Sequence, residues 1–301
     1  MKRNILLVSV ILTVVMGCKV TAQQKSARPS GFPAFSAEAH RGGRGLMPEN
    51  TIIAMKDAMN YPAITTLEMD THVTRDGKVV VTHDDYLSPG FMLMPDGKEI
   101  PNADAKKYPV FQMDYEQLRT FDIGTKVNRG FPQQKKEKTY IPLLADLIDS
   151  VQAEIKHKGK KQLFYNIETK CGPAGDGTVN PSPEVFVKLL MDVIEQKKMT
   201  DFVVIQSFDK RTIQIINKKY PKVKTSFLVS NKKSYEENIA DLGYKPFIIS
   251  PIFSMVDASF IAKAHADGVK VIPWTANTKE EIERLKALKV DGIISDYPNL
   301  L

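Results

Sequence analysis

Acidic residues end two β-rich segments that lie far apart in the sequence. Glu68 and Asp70 close the run Thr66–Asp70, and Glu168 closes the run Leu163–Glu168. Because side chains alternate along a strand, Glu68 and Asp70 point to the same face. Carboxylates crowded together resist joint ionisation unless a cation lies among them. The pattern therefore predicts one divalent cation, Ca²⁺ or Mg²⁺ rather than zinc; pairing of these acids with surface lysines is the alternative.

Basic and imidazole side chains stand beside these acids. Arg41 can form a bidentate fork to phosphoryl oxygens, and Lys170, two residues after Glu168, adds a point charge. His40 and His83 also follow β-rich runs. An imidazole with an ordinary pKa of about 6.5 can accept or donate a proton near neutral pH. One histidine would deprotonate an attacking hydroxyl and the other would protonate the departing alkoxide, so these residues predict phosphodiester cleavage.

The elements that must position these residues alternate between short β-rich runs and amphipathic helical segments. Eight runs have the composition of strands: Ala37–His40, Thr66–Asp70, Leu163–Glu168, Phe202–Gln206, Thr225–Val229, Phe247–Ser250, Val269–Trp274 and Gly292–Asp296. Helical segments lie between them, with Ser182, Asp209 and Thr278 as candidate N-caps. This order predicts an α/β protein, a (β/α)8 TIM barrel over residues 36–301, with its chemistry at the C-terminal ends of the strands.

One run breaks the alternation. Only a short turn at Asp76-Gly77 precedes Val79–His83, whereas a parallel crossover needs about a dozen residues, so this run predicts an antiparallel hairpin. The hairpin carries His83 back over the barrel mouth, while His72 within it is expected to point away. Residues 84–141 are rich in loops and predict an insertion subdomain after the second barrel strand.

The N-terminus predicts export. Lys2 and Arg3 precede an apolar stretch that is too short to span a bilayer, so residues 1–22 are interpreted as a signal. Cleavage before Cys18 would leave a lipidated cysteine and a membrane tether, and cleavage after Ala22 would leave a soluble protein. Residues 23–35 are interpreted as a linker. We expect a periplasmic or cell-envelope lipoprotein, with a secreted soluble form as the alternative.

Composition excludes several classes of protein. A hydrophobic content of 43% argues against a disordered chain, and two cysteines argue against a disulfide-stapled domain. The net charge of +7 falls to +4 when Lys2, Arg3 and Lys19 leave with the signal, since no acid leaves with them. No stripe of basic residues interleaved with aromatics indicates a nucleic-acid partner, and no protein partner is inferred.

Taken in order from Ala39 to Pro298, the motifs resemble those of the glycerophosphodiester phosphodiesterases. The motifs that carry the resemblance are His-Arg-Gly, Pro-Glu-Asn-Thr, Glu-x-Asp, Val-Val-x-His-Asp, Asn-Ile-Glu-x-Lys, Gln-Ser-Phe-Asp, Trp-Thr-x-Asn and Asp-Gly-Ile-Ile-x-Asp-x-Pro. The resemblance implies a phospholipase-C-like barrel with one metal ion, which hydrolyses glycerophosphodiesters to glycerol 3-phosphate and an alcohol.

The resemblance also assigns residues. The acid/base pair of the family corresponds to His40 and His83, and its metal ligands to Glu68, Asp70 and Glu168. Further residues match the substrate-binding positions at the barrel mouth: Arg41, Glu49, Lys170 and Trp274, with Gln206 and Phe208 as weaker candidates.

Two of those positions carry alternative interpretations. Glu49 would orient Arg41 or His40, or approach the metal, and it would equally suit a helix N-terminus as an acid favoured by the dipole. Trp274 would form an apolar wall for the glycerol moiety, or else belong to the core. After His83-Asp84 the chain departs from the family pattern, which leaves the departing alcohol open.

Several alternatives remain at this stage. The attack on phosphorus would come from the glycerol 2-hydroxyl, giving a cyclic phosphate, or directly from water. A glycoside hydrolase that uses paired acids is one rival function, and an exported binding protein on an inactive barrel is another. A phosphodiesterase for a lysophospholipid or a phosphoinositide is the third.

Overall fold

The computed structural model describes residues 31–301, so the predicted signal, Cys18 and most of the predicted linker lie outside the described residues. One sheet contains all strands of this part of the chain. They are β1 (Ser36–Ala39), β2 (Thr66–Val73), β3 (Val79–Val81), β4 (Phe164–Thr169), β5 (Val203–Ser207), β6 (Lys224–Val229), β7 (Ile248–Pro251), β8 (Lys270–Val271) and β9 (Gly292–Ser295).

Eight of these strands run parallel in the order β8-β7-β6-β5-β4-β2-β1-β9. The two ends of this order meet through backbone hydrogen bonds, from Asp291 N to Val271 O at 2.9 Å and from Ile294 N to Pro273 O at 3.0 Å. The predicted TIM barrel is confirmed. The predicted strand Val269–Trp274 is shorter than expected, because Pro273 has no N–H to donate to a ladder.

Helices surround the barrel and bury their apolar faces against the strands. They are α1 (Ile52–Ala58), α3 (Leu144–Lys158), α4 (Pro183–Gln196), α5 (Lys210–Lys219), α6 (Tyr235–Leu242), α7 (Ala258–Ala266) and α8 (Lys279–Ala287), whereas the short α2 (Tyr115–Leu118) belongs to the insertion. The predicted N-caps Ser182, Asp209 and Thr278 each accept a backbone N–H from the first turn of their helix. None of the helices within residues 31–301 is long and apolar enough to cross a membrane.

The predicted hairpin is present. Strand β3 pairs antiparallel with the end of β2, with His72 opposite Val80. The turn places Gly77 at a φ of 72°, a left-handed conformation that glycine adopts without a Cβ penalty. The hairpin therefore extends beyond the C-terminal end of the barrel and returns the chain toward its mouth.

The insertion that follows the hairpin has an apolar cluster of its own. The cluster contains Val80 of β3 and the following buried residues of the insertion: Leu87, Met92, Ile100, Val110, Met113, Tyr115, Leu118, Phe121, Ile123 and Ile141. Short helical turns and isolated bridges connect its segments. The insertion thus packs on the hairpin through a cluster of its own, and its Phe111 also contacts the barrel core.

The opposite end of the barrel is closed by an aromatic residue from the predicted linker. The Phe32 ring lies edge-on to Phe164 and Phe247, with centroid distances of 5.1 and 5.2 Å. Phe164 begins β4 and Phe247 precedes β7, so Phe32 covers the N-terminal ends of the strands. Burial of apolar surface on these rings explains why the packed part of the chain begins before Ser36.

Candidate active site

Neighbouring strands bring the three predicted metal ligands together. Glu68 and Asp70 lie on β2, and Glu168 lies on β4 with Asp70 directly opposite it in the register. Each of the three residues offers a carboxylate oxygen, and these oxygens all lie within 4.8 Å of one another. All three side chains are buried. Three carboxylate oxygens are thus available to one cation at the C-terminal edge of the sheet.

Hydrogen bonds hold Glu68 and Asp70 in place. Glu68 Oε2 accepts the backbone N–H of Arg41 at 2.7 Å, and its Oε1 accepts Gln206 Nε2 at 2.7 Å. Asn50 clamps Asp70, donating Nδ2 to Oδ2 at 2.8 Å and accepting the Asp70 backbone N–H at 3.2 Å. Asp70 Oδ1 is buried and has no hydrogen-bond partner among the described residues. That oxygen is free to ligate a cation.

The raised pKa values of Glu68 and Glu168 indicate that the positive side chains nearby do not fully compensate the charge of the three acids. Burial raises the pKa of Glu68 well above its usual range, and the neighbouring Asp70 adds to the effect. Burial also raises the pKa of Glu168 to about 7, although Lys170 at 3.0 Å opposes it. Burial acts on Asp70 in the same direction, but Arg41, His83 and Lys170 together outweigh it and lower the pKa of that carboxyl. Full ionisation of the cluster needs further positive charge.

His40 is oriented by an aspartate at the end of the last strand. Its Nδ1 lies 2.5 Å from Asp296 Oδ1, and its Nε2 lies 4.0 Å from Glu68 Oε2 on the cleft side. Asp296 also accepts Arg44 Nε at 2.7 Å and Asn277 Nδ2 at 2.7 Å. Burial lowers the pKa of His40, and the hydrogen bond to Asp296 opposes that shift.

His83 also lines the cleft and is held in the same manner. Its Nδ1 lies 2.6 Å from Asp84 Oδ1, and its side chain is 30% exposed. The fully buried His72 places Nε2 3.0 Å from the carbonyl oxygen of His83. His72 is absent from the cleft lining and supports the hairpin backbone instead.

Arg41 adopts a left-handed backbone conformation, with φ at 50°, directly after β1. This turn directs its guanidinium across the acids, with Nη1 donating to Glu49 Oε1 at 2.8 Å and Nε 3.2 Å from Asp70 Oδ2. Glu49 therefore orients Arg41, and it is not part of the acidic cluster. The non-glycine left-handed residue is typical of a functional site.

A cleft of about 100 Å³ lies above the cluster. Its polar wall is formed by His40, Arg41, Arg44, Glu68, His83, Glu168, Lys170 and Gln206. Its other wall is formed by Phe208, Leu228, Trp274, Thr275 and Ile294. Trp274 donates Nε1 to Ser250 O at 2.9 Å and packs edge-on with the half-exposed Phe208, at a centroid distance of 5.4 Å. The cleft can hold a charged group against one wall and a carbon skeleton against the other.

All nine candidates from the sequence are at this cleft or directly beneath it. Glu49 and Asp70 do not line the cleft themselves. Glu49 contacts the lining residue Arg41, and Asp70 contacts the lining residues Glu68 and Glu168. The sequence motifs contain Asn50, Asp84 and Asp296 but gave them no role, and Arg44 was missed altogether. Asp296 stands at the end of a predicted strand, as the other site residues do, and this position was the available signal.

Comparisons with known proteins agree with this geometry. The model of the Glycerophosphoryl diester phosphodiesterase family matches residues 40–300. A protein of Caldanaerobacter subterraneus subsp. tengcongensis named glycerophosphodiester phosphodiesterase is 28% identical over 265 residues, covering 87% of this chain and 94% of the relative. A Bacillus subtilis protein of the same name is 26% identical over 270 residues, covering 87% and 83%.

Solved structures share the fold. A structure from Silicibacter pomeroyi DSS-3, described as a candidate glycerophosphoryl diester phosphodiesterase, has a TM-score of 0.77 and 28% identity over 90% of this chain and 92% of its own. An Oleispira antarctica phosphodiesterase, solved in complex with the product sn-glycerol-3-phosphate, has a TM-score of 0.68 and 23% identity over 88% and 94%.

Proposed function

The chain belongs to the glycerophosphoryl diester phosphodiesterase family, and from that premise we propose how its own residues cleave the diester. It is a phosphodiesterase that hydrolyses glycerophosphodiesters. We propose that it releases glycerol 3-phosphate and an alcohol with the help of a divalent cation and two imidazoles. The observation that supports this most strongly is the convergence of His40, His83 and three buried acids on one cleft. A glycoside hydrolase and an inactive binding barrel are no longer rivals, given the family.

Glu68, Asp70 and Glu168 would hold the cation. Three features of the cluster fit such an ion: its oxygen-only donors, the buried Oδ1 of Asp70 that has no hydrogen-bond partner in the described part of the chain, and the raised pKa values of the two glutamates. Ca²⁺ and Mg²⁺ prefer such donors. When bound, the cation would polarise the phosphoryl group and neutralise the charge that develops on its oxygens.

Arg41 and Lys170 would bind the phosphoryl oxygens. Glu49 holds Nη1 of Arg41 and Asp70 lies 3.2 Å from its Nε, and the side chain lines the cleft where a phosphoryl group would bind. Lys170 Nζ lies 3.0 Å from Glu168 Oε1 and 3.9 Å from Asp70 Oδ1, at the same edge of the cluster. The pKa values of Arg41 and Lys170 are raised because the nearby carboxylates together outweigh the effect of burial. Both side chains therefore remain charged at neutral pH.

The two histidines would carry the proton transfers. Each ring gives Nδ1 to a carboxylate, Asp296 for His40 and Asp84 for His83, so that each Nε2 is the free nitrogen. One Nε2 would accept the proton of the attacking hydroxyl, from water or from the 2-hydroxyl of the glycerol. The other would protonate the departing alkoxide. Prior orientation of both rings reduces the cost of reaching the transition state.

The apolar wall would receive the glycerol carbons. Trp274 and Phe208 form an aromatic corner opposite the charged residues, and the binding of sn-glycerol-3-phosphate by the Oleispira antarctica phosphodiesterase fits a product of this size. From the sequence we further propose that the enzyme is exported and acts in the cell envelope, with Cys18 as the lipid attachment point.

The test is release of glycerol 3-phosphate from glycerophosphocholine and glycerophosphoethanolamine, and release of choline from a lysophosphatidylcholine, before and after chelation. We expect cleavage of the water-soluble diesters, loss of activity in EDTA and recovery on addition of Ca²⁺ or Mg²⁺. Unchanged turnover in EDTA would contradict the cation proposal. Preference for the lysophospholipid would move the substrate to the lipid class.

A further inference from the structure

A further buried acid, Glu38, lies below the site and has no role in the proposed reaction. Glu38 is on β1, two residues before His40, and its side chain is completely buried inside the barrel. Its carboxylate accepts Ser36 Oγ at 2.8 Å and Asn166 Nδ2 at 2.7 Å. No lysine, arginine or histidine of residues 31–301 forms an ion pair with it. Burial raises the pKa of Glu38 to about 7. A buried carboxyl without a counter-ion is expensive, so its presence calls for a physical reason.

Two side-chain amides connect Glu38 to the metal site. Asn166 Nδ2 also donates to Gln206 Oε1 at 3.1 Å, and Gln206 Nε2 donates to Glu68 Oε1 at 2.7 Å. Asn166 lies opposite Glu68 in the register of β2 and β4, and all four side chains are buried. We call this chain of three hydrogen bonds, from Glu38 through Asn166 and Gln206 to Glu68, the amide relay.

The amide relay has a direction. An amide side chain has a donor end and an acceptor end, while an ionised carboxylate only accepts. Asn166 turns its donor end to Glu38, even though its Oδ1 is then buried without a partner in the described structure. Gln206 must consequently offer Oε1 to Asn166 and Nε2 to Glu68. With both carboxylates ionised, the reverse orientation would set oxygen against oxygen at each of them, which costs more than one unmet acceptor.

We propose that Glu38 is a positioning residue that sets the direction of the amide relay, so that Glu68 always faces an N–H donor and keeps the orientation of a metal ligand. The inference rests on the proposed cation site. Outer-shell partners of this kind contribute to metal affinity, and their loss costs on the order of 10-fold to 100-fold. Glu38 would thus act on the cation site from a position where neither the cation nor the substrate touches it.

The experiment measures the affinity of the purified protein for Ca²⁺, and separately for Mg²⁺, by calorimetric titration. Glu38→Met removes the acceptor at similar volume, and we expect the cation to bind about 10-fold more weakly. Glu38→Gln keeps an acceptor for Asn166, with its amide donor turned to Ser36, and should restore affinity close to that of the unchanged protein. Ser226→Ala is the control, because Ser226 is buried in the same barrel interior and its Oγ has no partner in the described residues.

A double-mutant cycle separates the relay from a general packing effect. If Glu38 acts through Gln206, Glu38→Met should change the cation affinity no further in a Gln206→Met background. Additive losses would overturn the inference, as would unchanged affinity in Glu38→Met. Asn166→Ala breaks the relay at its centre and gives the same decision if Glu38→Met does not fold. Glu68→Gln tests the proposed function separately. Unchanged cation binding in that variant would contradict the proposal that Glu68, Asp70 and Glu168 form the cation site.

Discussion

His40 Nδ1 lies 2.5 Å from Asp296 Oδ1, across the seam where the first and last strands of the barrel meet. The contact joins two residues that are 256 positions apart in the sequence. Arg44 and Asn277 hold the same carboxylate through hydrogen bonds of 2.7 Å, so Asp296 has little freedom to turn. Its carboxylate selects the tautomer of His40 that carries the proton on Nδ1, and Nε2 is left for chemistry.

Replacement of Asp296 should therefore act on turnover more than on binding. Asn at this position can present an N–H to Nδ1 and favour the wrong tautomer, so we expect Asp296→Asn to lower kcat by about 10²–10⁴-fold. KM should change little. Asp267→Asn, at a surface acid that pairs with Lys245, is the matched control. A kcat within a few-fold of the unchanged enzyme would show that His40 needs no such partner.

Removal of either catalytic imidazole should be equally severe. We expect His40→Ala and His83→Ala each to lower kcat by ~10²–10⁴-fold while the fold is retained, because proton transfer by a positioned group contributes that much. Steady-state kinetics with glycerophosphocholine and circular dichroism measure the two effects. His157→Ala, at an exposed position on α3, should leave both unchanged. Near-normal turnover in either active-site variant would exclude that residue from acid-base chemistry.

Cation binding should stabilise the folded chain. A ligand that binds only the folded state at 100 times its Kd adds about 2.7 kcal/mol to the free energy of unfolding. We expect Ca²⁺ or Mg²⁺ to raise the thermal midpoint and EDTA to reverse the change. Asp70→Asn should abolish the response, because it removes a ligand carboxylate from the cluster. An equal rise in midpoint in Asp70→Asn would place the stabilising cation elsewhere.

Glu38 should make stability depend on pH. Its pKa is about 7 in the folded protein against an ordinary 4.5, so the folded state holds the extra proton between these values. The free energy of unfolding therefore decreases as pH rises from about 4.5 to 7. The shift corresponds to about 3 kcal/mol for this fully buried group.

Glu38→Gln removes that titration. In EDTA the variant should match the unchanged protein near pH 4.5 and exceed it in stability by up to about 3 kcal/mol at pH 8. Urea denaturation at the two pH values measures the difference. The same surplus at both pH values would mean that ionisation of Glu38 is not its source.

Lipidation can be tested at a single residue. Cys18→Ala should move the protein from the membrane fraction to the soluble fraction and abolish labelling by a fatty acid, because it removes the thiol of the predicted lipobox. Cys171→Ala is the control, since Cys171 lies within the folded part and is half-buried. A soluble unchanged protein, processed after Ala22, would favour the ordinary signal peptide.

The sequence predicts the strands and the site residues themselves, but not the partners that orient those residues. Periodicity located strands such as β2 and β4, and alternation placed Glu68 and Asp70 on one face, because both depend on neighbouring residues only. The partners of the site residues depend on closure of the barrel. Asp296 meets His40 only when the last strand pairs with the first, and Asn50 clamps Asp70 from a loop whose course no local pattern specifies.

In the predicted linker, average composition does not reveal a single residue that packs on the barrel. Residues 23–35 have the polar composition of a tether, but Phe32 packs on Phe164 and Phe247 at the N-terminal ends of the strands. The composition of this segment is an average over many residues, whereas its contact with the barrel depends on the one aromatic ring of Phe32.

The position of Phe32 also bears on how the enzyme would meet its surroundings. The chain enters the barrel through its floor, and the cleft opens at the roof, beside His40 and His83. A lipid on Cys18 would be attached to the segment that precedes Phe32, and the cleft lies at the opposite end of the barrel from that residue. A cleft placed in this way is suited to water-soluble diesters, which reach it by diffusion, rather than to lipids that stay in the bilayer.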